Sequence, residues 1–242
     1  MALAWNDIAK QYRRSFLGPI WISINTAIFI IAFGLIGAQL FKTDVASYLP
    51  YFAVGHVFFS FFTLVIQESC HTFTQAEGYL KHAASPKLLH VFRGVLRNLM
   101  ILAHNFLIII AVLVWAGGIT SIKFSHLFAA LCLCCIAFFL ASGIVATLCT
   151  RFRDVPMIVA SVMQVLFFLT PVMWRPDQLT ERARWLVHMN PFATFLELAR
   201  APLLGVAPVP GTYHAALFII AVLIGVFVPV TAWARSKIVY WI

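Results

Sequence analysis

Six runs of mostly apolar residues, each about twenty long, constrain this chain more than any other feature. They lie at about 19–41, 50–69, 95–116, 126–149, 156–174 and 213–234. A helix of about twenty residues is as long as a ~30 Å hydrocarbon core is thick, and lipid forces the backbone to satisfy its own hydrogen bonds. Composition agrees. Of 242 residues, 62% are hydrophobic and only 10% are charged, too few to coat a soluble domain. The reading is an all-α integral membrane fold of six transmembrane helices in one domain, 1–242. Its parts are an interface helix (1–18), spans 1–5 (19–174), an outer hairpin (175–212), and span 6 with its tail (213–242).

The net charge of +9 does not point to nucleic acid, because the basic residues flank apolar runs and form no patch on a separate domain. Put the N-terminus in the cytoplasm. Lys10, Arg13, Arg14, Lys81, Lys87, Arg93, Arg97, Arg151, Arg153, Arg235 and Lys237 then fall inside, and the two short outer loops hold only Lys42 and Lys123. Both termini are therefore expected in the cytoplasm. No cleavable signal peptide is expected, since Asp7, Lys10, Arg13 and Arg14 precede a run too long for an h-region. Four of the five cysteines, Cys132, Cys134, Cys135 and Cys149, lie in or at the end of one run and read as small apolar packing groups. Cys70 lies near a basic loop, and no disulfide framework is expected.

Between the runs the sequence carries local signals. Trp5, Ile8, Tyr12 and Phe16 share an arc of about 80°, which suits an amphipathic helix lying in the interface; a plain basic extension is the alternative. Gly18-Pro19 ends it, with Pro19 suited to the first turn of the next helix. The polar stretch 70–94 allows a short helix broken at Ser85-Pro86. Asp154 is placed to cap the fifth span. In 175–212 the apolar piece Phe192–Ala201 is too short to cross, so a re-entrant or interfacial pair of short helices is expected.

Several chemistries are missing. The sequence has no Gly-Lys pair and so no Walker A loop. No metal-binding spacing occurs among its histidines, and no Asp or Glu sits in the middle of a span, where ion-coupled carriers usually keep one. His56 and the pair His104-Asn105 read first as helix–helix hydrogen-bonding groups. What remains is two neutral polar stripes. Trp21, Asn25, Ala32 and Gln39 share a face of span 1, and Ser161, Gln164 and Phe168 share a face of span 5. Such stripes face a partner helix or a wet path, and bonds between helices are the competing explanation. Ile30 and Val165 are expected on the lipid side of the same helices.

Five pieces then resemble one family. They are Tyr12-Arg-Arg-Ser-Phe-Leu-Gly-Pro-Ile-Trp21, Tyr48-Leu-Pro-Tyr-Phe-Ala-Val-Gly55, and Glu77-Gly-Tyr-Leu-Lys81 with Leu89-His-Val-Phe-Arg93. Arg151-Phe-Arg-Asp-Val-Pro156 continues to Phe167-Phe-Leu-Thr-Pro-Val-Met-Trp174, and Asn190-Pro-Phe192 precedes Arg200-Ala-Pro-Leu-Leu-Gly205. In order and spacing the chain resembles the ABC-2 type permeases of polysaccharide exporters, the O-antigen and capsule systems.

The resemblance implies a homodimer of six-span subunits in the bacterial inner membrane, with two ATPase subunits from a separate chain that bind the ATP and Mg. It implies no cofactor or catalytic residue here, and a lipid-linked polysaccharide as cargo. Lys10, Arg13, Arg14, Glu77 and Lys81 would lie on the elements that meet the ATPase. Leu17 and Gly18 would form the entrance loop, 175–212 the outer gate helices, and spans 1 and 5 the channel lining, with Trp21, Asn25, Gln39, Ser161, Gln164 and Phe168 on the path. The rival readings are an ABC-2 exporter of a drug or non-sugar lipid, a secondary carrier, and a membrane-embedded enzyme.

Overall fold

Long apolar helices laid side by side around one aromatic-rich helix make up the structure, a computed structural model that describes residues 20–82 and 85–242. The expectations on Lys10, Arg13, Arg14, Leu17, Gly18 and the interface helix lie outside the described residues. In chain order the helices are α1 (Ile20–Leu40), α2 (Val45–Ser69), α3 (Thr72–Gln75), α4 (Glu77–His82), α5 (Lys87–Trp115) and α6 (Phe124–Arg151). There follow α7 (Val155–Leu169), α8 (Glu181–His188), α9 (Pro191–Leu203), α10 (Pro210–Ala234) and α11 (Ile238–Trp241). Every regular element among the described residues is helical.

Five of these, α1, α2, α5, α6 and α10, are long and apolar enough to cross a membrane. The expected fifth span is not among them. Helix α7 has 15 residues, about 22 Å at 1.5 Å each, and stops at Leu169 instead of running to 174. Pro171 is the reason. The residue before a proline is pushed out of the α region, and Thr170 is extended at φ −85°, ψ 137°. Asp154 does sit at the N-cap of α7, but its side chain makes no capping bond.

Helix α2 is the hub. It packs against α1, α5, α6 and α9, and it buries Phe52, Phe58 and Phe62 almost completely. The Phe62 ring stacks on Phe138 of α6 at 4.3 Å. Asp44 starts α2 by accepting a bond from the Ala46 N–H at 3.1 Å. Lipid tails are as apolar as leucine, so close packing and polar bonds must hold such helices together.

The two short helices expected in 175–212 form. Asn190 caps α9 by accepting from the Phe192 N–H at 3.0 Å, and Pro191 occupies its first turn. Helix α9 buries Ala193–Leu196 and Leu198–Leu203 against α2, α6 and α10. The stretch 70–94 gives α3 and α4, and α5 begins after Pro86.

Candidate functional site: two open faces and two polar locks

The polar stripes emerge on the protein's surface. On α1, Ile30, Gly34 and Gly37 face inward, while Trp21, Asn25, Ala32 and Gln39 lie on the opposite side and are exposed. Ile30, expected toward lipid, is instead fully buried against the α2 core, because that side of α1 is the one α2 covers. On α7 only Met163 is buried; Ser161, Gln164, Val165 and Phe168 are exposed. Ser161 returns its hydroxyl to the Met157 carbonyl of its own helix at 3.0 Å. Trp21, Asn25, Gln39 and Gln164 make no side-chain bond to another helix among the described residues.

Both open helices lean on α2 through aromatic contacts. Phe29 of α1 stacks on His56 of α2 at 4.4 Å, and Phe167 of α7 meets the same imidazole edge-on at 6.5 Å. His56 was expected to bond a neighbouring helix, yet its Nδ1 has no partner among the described residues. Asn105 does form such a bond, accepting from the Ser23 hydroxyl of α1 at 3.1 Å.

A first lock, built on Arg200, holds the segment after α7. With its helix ended, Thr170–Trp174 has carbonyls that need donors. Tyr48 donates to Met173 at 2.8 Å and Tyr51 to Trp174 at 3.0 Å. Arg200 of α9, 2% exposed, donates to Pro171 at 2.7 Å and to the Glu197 carboxylate at 2.8 Å. Its guanidinium lies 3.9 Å from the centre of the Tyr51 ring, and Asn190 donates to Thr170 at 2.8 Å. Gly55 permits the approach, since a Cβ there would stand 3.0 Å from the Val172 carbonyl oxygen. A cavity of about 780 Å³ opens beside the lock, with Arg175, Arg184, His188 and Glu197 in its wall.

A second lock, built on Glu68, joins α2 to α5. Glu68 pairs with Arg97 and accepts from the Asn98 amide at 2.6 Å. Next to it a cavity of about 480 Å³ reaches Gln75 of α3, Tyr79 of α4 and His90 of α5. Glu77 and Lys81 form an exposed i,i+4 pair on α4 at 2.6 Å, on the side of the molecule where α2 ends and α5 begins.

Sequence reasoning did not single out either lock as a site. Arg200 and Glu197, three apart in an otherwise apolar short helix, were the available signal, because an ionisable group at membrane depth usually has a dedicated partner.

A buried α2 hub and five helices long and apolar enough to cross a membrane describe a multi-pass membrane protein. The family model described as ABC-2 type transporter matches residues 1–204. The chain belongs to the ABC-2 type transporter family. Two proteins of Klebsiella pneumoniae, each named O-antigen export system permease protein RfbA, are similar to it. They are 23% and 22% identical over 203 residues, which covers 78% of this chain and 74% of each relative. As an ABC-2 permease the chain is the membrane subunit of a transporter, not the catalytic one, and permeases of this family work with an ATPase subunit. It is distantly homologous to O-antigen export permeases.

Proposed function

We propose that this ABC-2 permease moves a lipid-linked polysaccharide, of O-antigen or capsule type, outward across the bacterial inner membrane. One observation carries the reading: α1 and α7 keep neutral polar stripes on faces that nothing among the described residues covers. A glycan sliding past needs many weak contacts and no fixed charge that would trap it, and amides and aromatic faces supply them. Two protomers facing each other through α1 and α7 enclose such a path, lined by Trp21, Asn25, Gln39, Ser161, Gln164 and Phe168.

In this reading α7 and the extended 170–174 segment together make the fifth of six crossings, and α10 the sixth. Helices α8 and α9 are the outer gate, and both termini are cytoplasmic. Leu17 and Gly18 form the entrance loop. Lys10, Arg13, Arg14, Glu77 and Lys81 lie where two ATPase subunits dock, and those subunits hold the ATP and Mg. The whole of 1–242 acts as one transmembrane domain. The test is deletion of the gene, with complementation by the permease and a candidate ATPase. Surface polysaccharide should vanish on deletion, return only when both chains are present, and accumulate inside as the lipid-linked form. Unchanged surface polysaccharide with altered drug susceptibility would favour a different cargo.

A further inference from the structure

The sequence leaves one membrane face with far more cations than carboxylates. Of the eight acidic residues, Asp7 lies outside the described residues, Glu68 is taken by Arg97, Glu77 by Lys81, and Asp154 begins α7 three residues after Arg151 on this same face, while Asp44, Asp177, Glu181 and Glu197 belong to the opposite face. Around the C-terminal end four cations from three separate parts of the chain come together. Lys87 begins α5, Arg151 ends α6, and Arg235 and Lys237 lie between α10 and α11. The Lys87 ammonium donates to the Arg235 main-chain carbonyl, which ties the start of α5 to the end of α10. None of the four pairs with a carboxylate among the described residues.

Two tryptophans fix the arrangement. Lys237 lies 4.8 Å from the Trp233 ring, Trp233 and Trp241 are 4.9 Å apart, and the Arg151 guanidinium lies 5.7 Å from Trp241. The order is cation, ring, ring, cation. Rings hold the charged groups in place without neutralising them. Below them Val222, Val226, Pro229 and Trp233 follow one another at four, three and four residues along an exposed face of α10. That is one apolar stripe, and it ends under Lys237.

From these contacts we infer that Lys87, Arg151, Arg235 and Lys237, with Trp233 and Trp241, form a binding site for an anionic phospholipid. Its phosphate lies among the four cations and an acyl chain follows the α10 stripe. An acidic peptide could meet the charges but not the stripe, which continues down a lipid-facing helix. A lipid fills both, and clustered cations beside interfacial tryptophans suit an anionic headgroup. The site also touches the coupling region. Ile238 of α11 is buried with Phe73 of α3 and Leu80 of α4, so a lipid holding α11 braces those helices.

The experiment follows thermal unfolding of the purified full chain in neutral detergent, with added phosphatidylglycerol, phosphatidylcholine or inorganic phosphate. Phosphatidylglycerol should raise the midpoint and the other two should not. An Arg151→Gln/Lys237→Gln variant should lose most of that rise and, by native mass spectrometry, most of its co-purifying phosphatidylglycerol. Lys123→Gln, on the opposite face, should keep both. Equal shifts with phosphatidylcholine, a full shift with phosphate alone, or an undiminished response in the double variant would overturn the inference. If the double variant does not fold, the three-way comparison on the unaltered chain still decides.

Discussion

Helices α1 and α2 are neighbours with almost the same hydropathy over their most apolar 18 residues, a mean of 2.1 against 1.8, yet 17% of that stretch in one and 72% in the other is buried among the described residues. Hydropathy places both in the membrane and says nothing of what each one touches. The polar groups tell them apart. On α2 the tyrosines spend their hydroxyls on the main chain after α7, and the acid at its end is held by Arg97 and Asn98. On α1 the amides of Asn25 and Gln39 point away from every described helix. A polar group open to hydrocarbon is costly, so the faces of α1 and α7 imply water, cargo or a second protomer. Those of α2 imply a scaffold.

The sharpest way to break this contrast is at the lock built on Arg200. Arg200→Ala removes the donor to Pro171 and leaves the Glu197 carboxylate alone. The Pro171 carbonyl keeps only the longer bond from the Tyr51 hydroxyl at 3.3 Å; losing the charged hydrogen bond costs about 1–3 kcal/mol, and the lost contact with the Tyr51 ring adds to it. The expected result is a steep loss of monodisperse protein and a lowered unfolding temperature. Arg200→Lys should fall between, since an ammonium keeps the charge but not the fork. Wild-type stability in the alanine variant would mean that α9 is not tied down as the hydrogen bonds indicate.

The second test reverses the expectation. Asn25→Leu and Gln164→Leu should cut export strongly while leaving the folded dimer intact. Ile31→Leu and Val165→Leu, exposed away from the stripes, should leave export unchanged. Ile30 cannot serve as that control, because it is buried under α2. If the stripes instead bond helix to helix across a dimer, the leucine variants lose about 0.6–2 kcal/mol per bond and dimer yield falls with export. Scoring both quantities separates the two.

A third and milder change addresses α4. Exchanging the pair as Glu77→Lys with Lys81→Glu keeps an i,i+4 attraction, so helix stability should shift by less than about 0.5 kcal/mol. Export should nevertheless drop if this exposed pair meets the ATPase, with insertion and dimer yield unchanged. Normal export would remove Glu77 and Lys81 from the coupling surface.

What the sequence revealed follows the same division. Apolar run length located α1, α2, α5, α6 and α10, because lipid demands a minimum helix and the runs met it. The Asn190-Pro191 start of α9 was legible for the same local reason. The end of α7 was misplaced. Hydropathy continues through Phe167–Trp174, but Thr170-Pro171 breaks the helix, and the unwound strand is stable only because Tyr48, Tyr51 and Arg200 arrive from distant parts of the chain. The stripes on α1 and α7 were visible as a period. Their openness was not, since a helical wheel shows which residues share a face but not what covers it.

The last test bears on where α8 and α9 lie, and it should leave function nearly untouched. If the pair dips in and returns, both of its ends lie on the outer side. Arg184 of α8 is exposed and suits a reporter cysteine. The glycine at 205, the obvious second position, does not. Its φ is +82°, and a Cβ would stand 2.7 Å from the Ser121 side chain, so a cysteine there would disturb the loop it was meant to report on. Val206, 61% exposed and one residue on, avoids both problems. In a background lacking the five native thiols, Arg184→Cys and Val206→Cys should each react from outside intact cells with an impermeant maleimide, at near-normal export. Reaction of only one from outside would turn α9 into a crossing element. Its buried face against α2, α6 and α10 would then be a seventh wall of the bundle, and α10 would run the other way, placing the C-terminal cations at the outer surface.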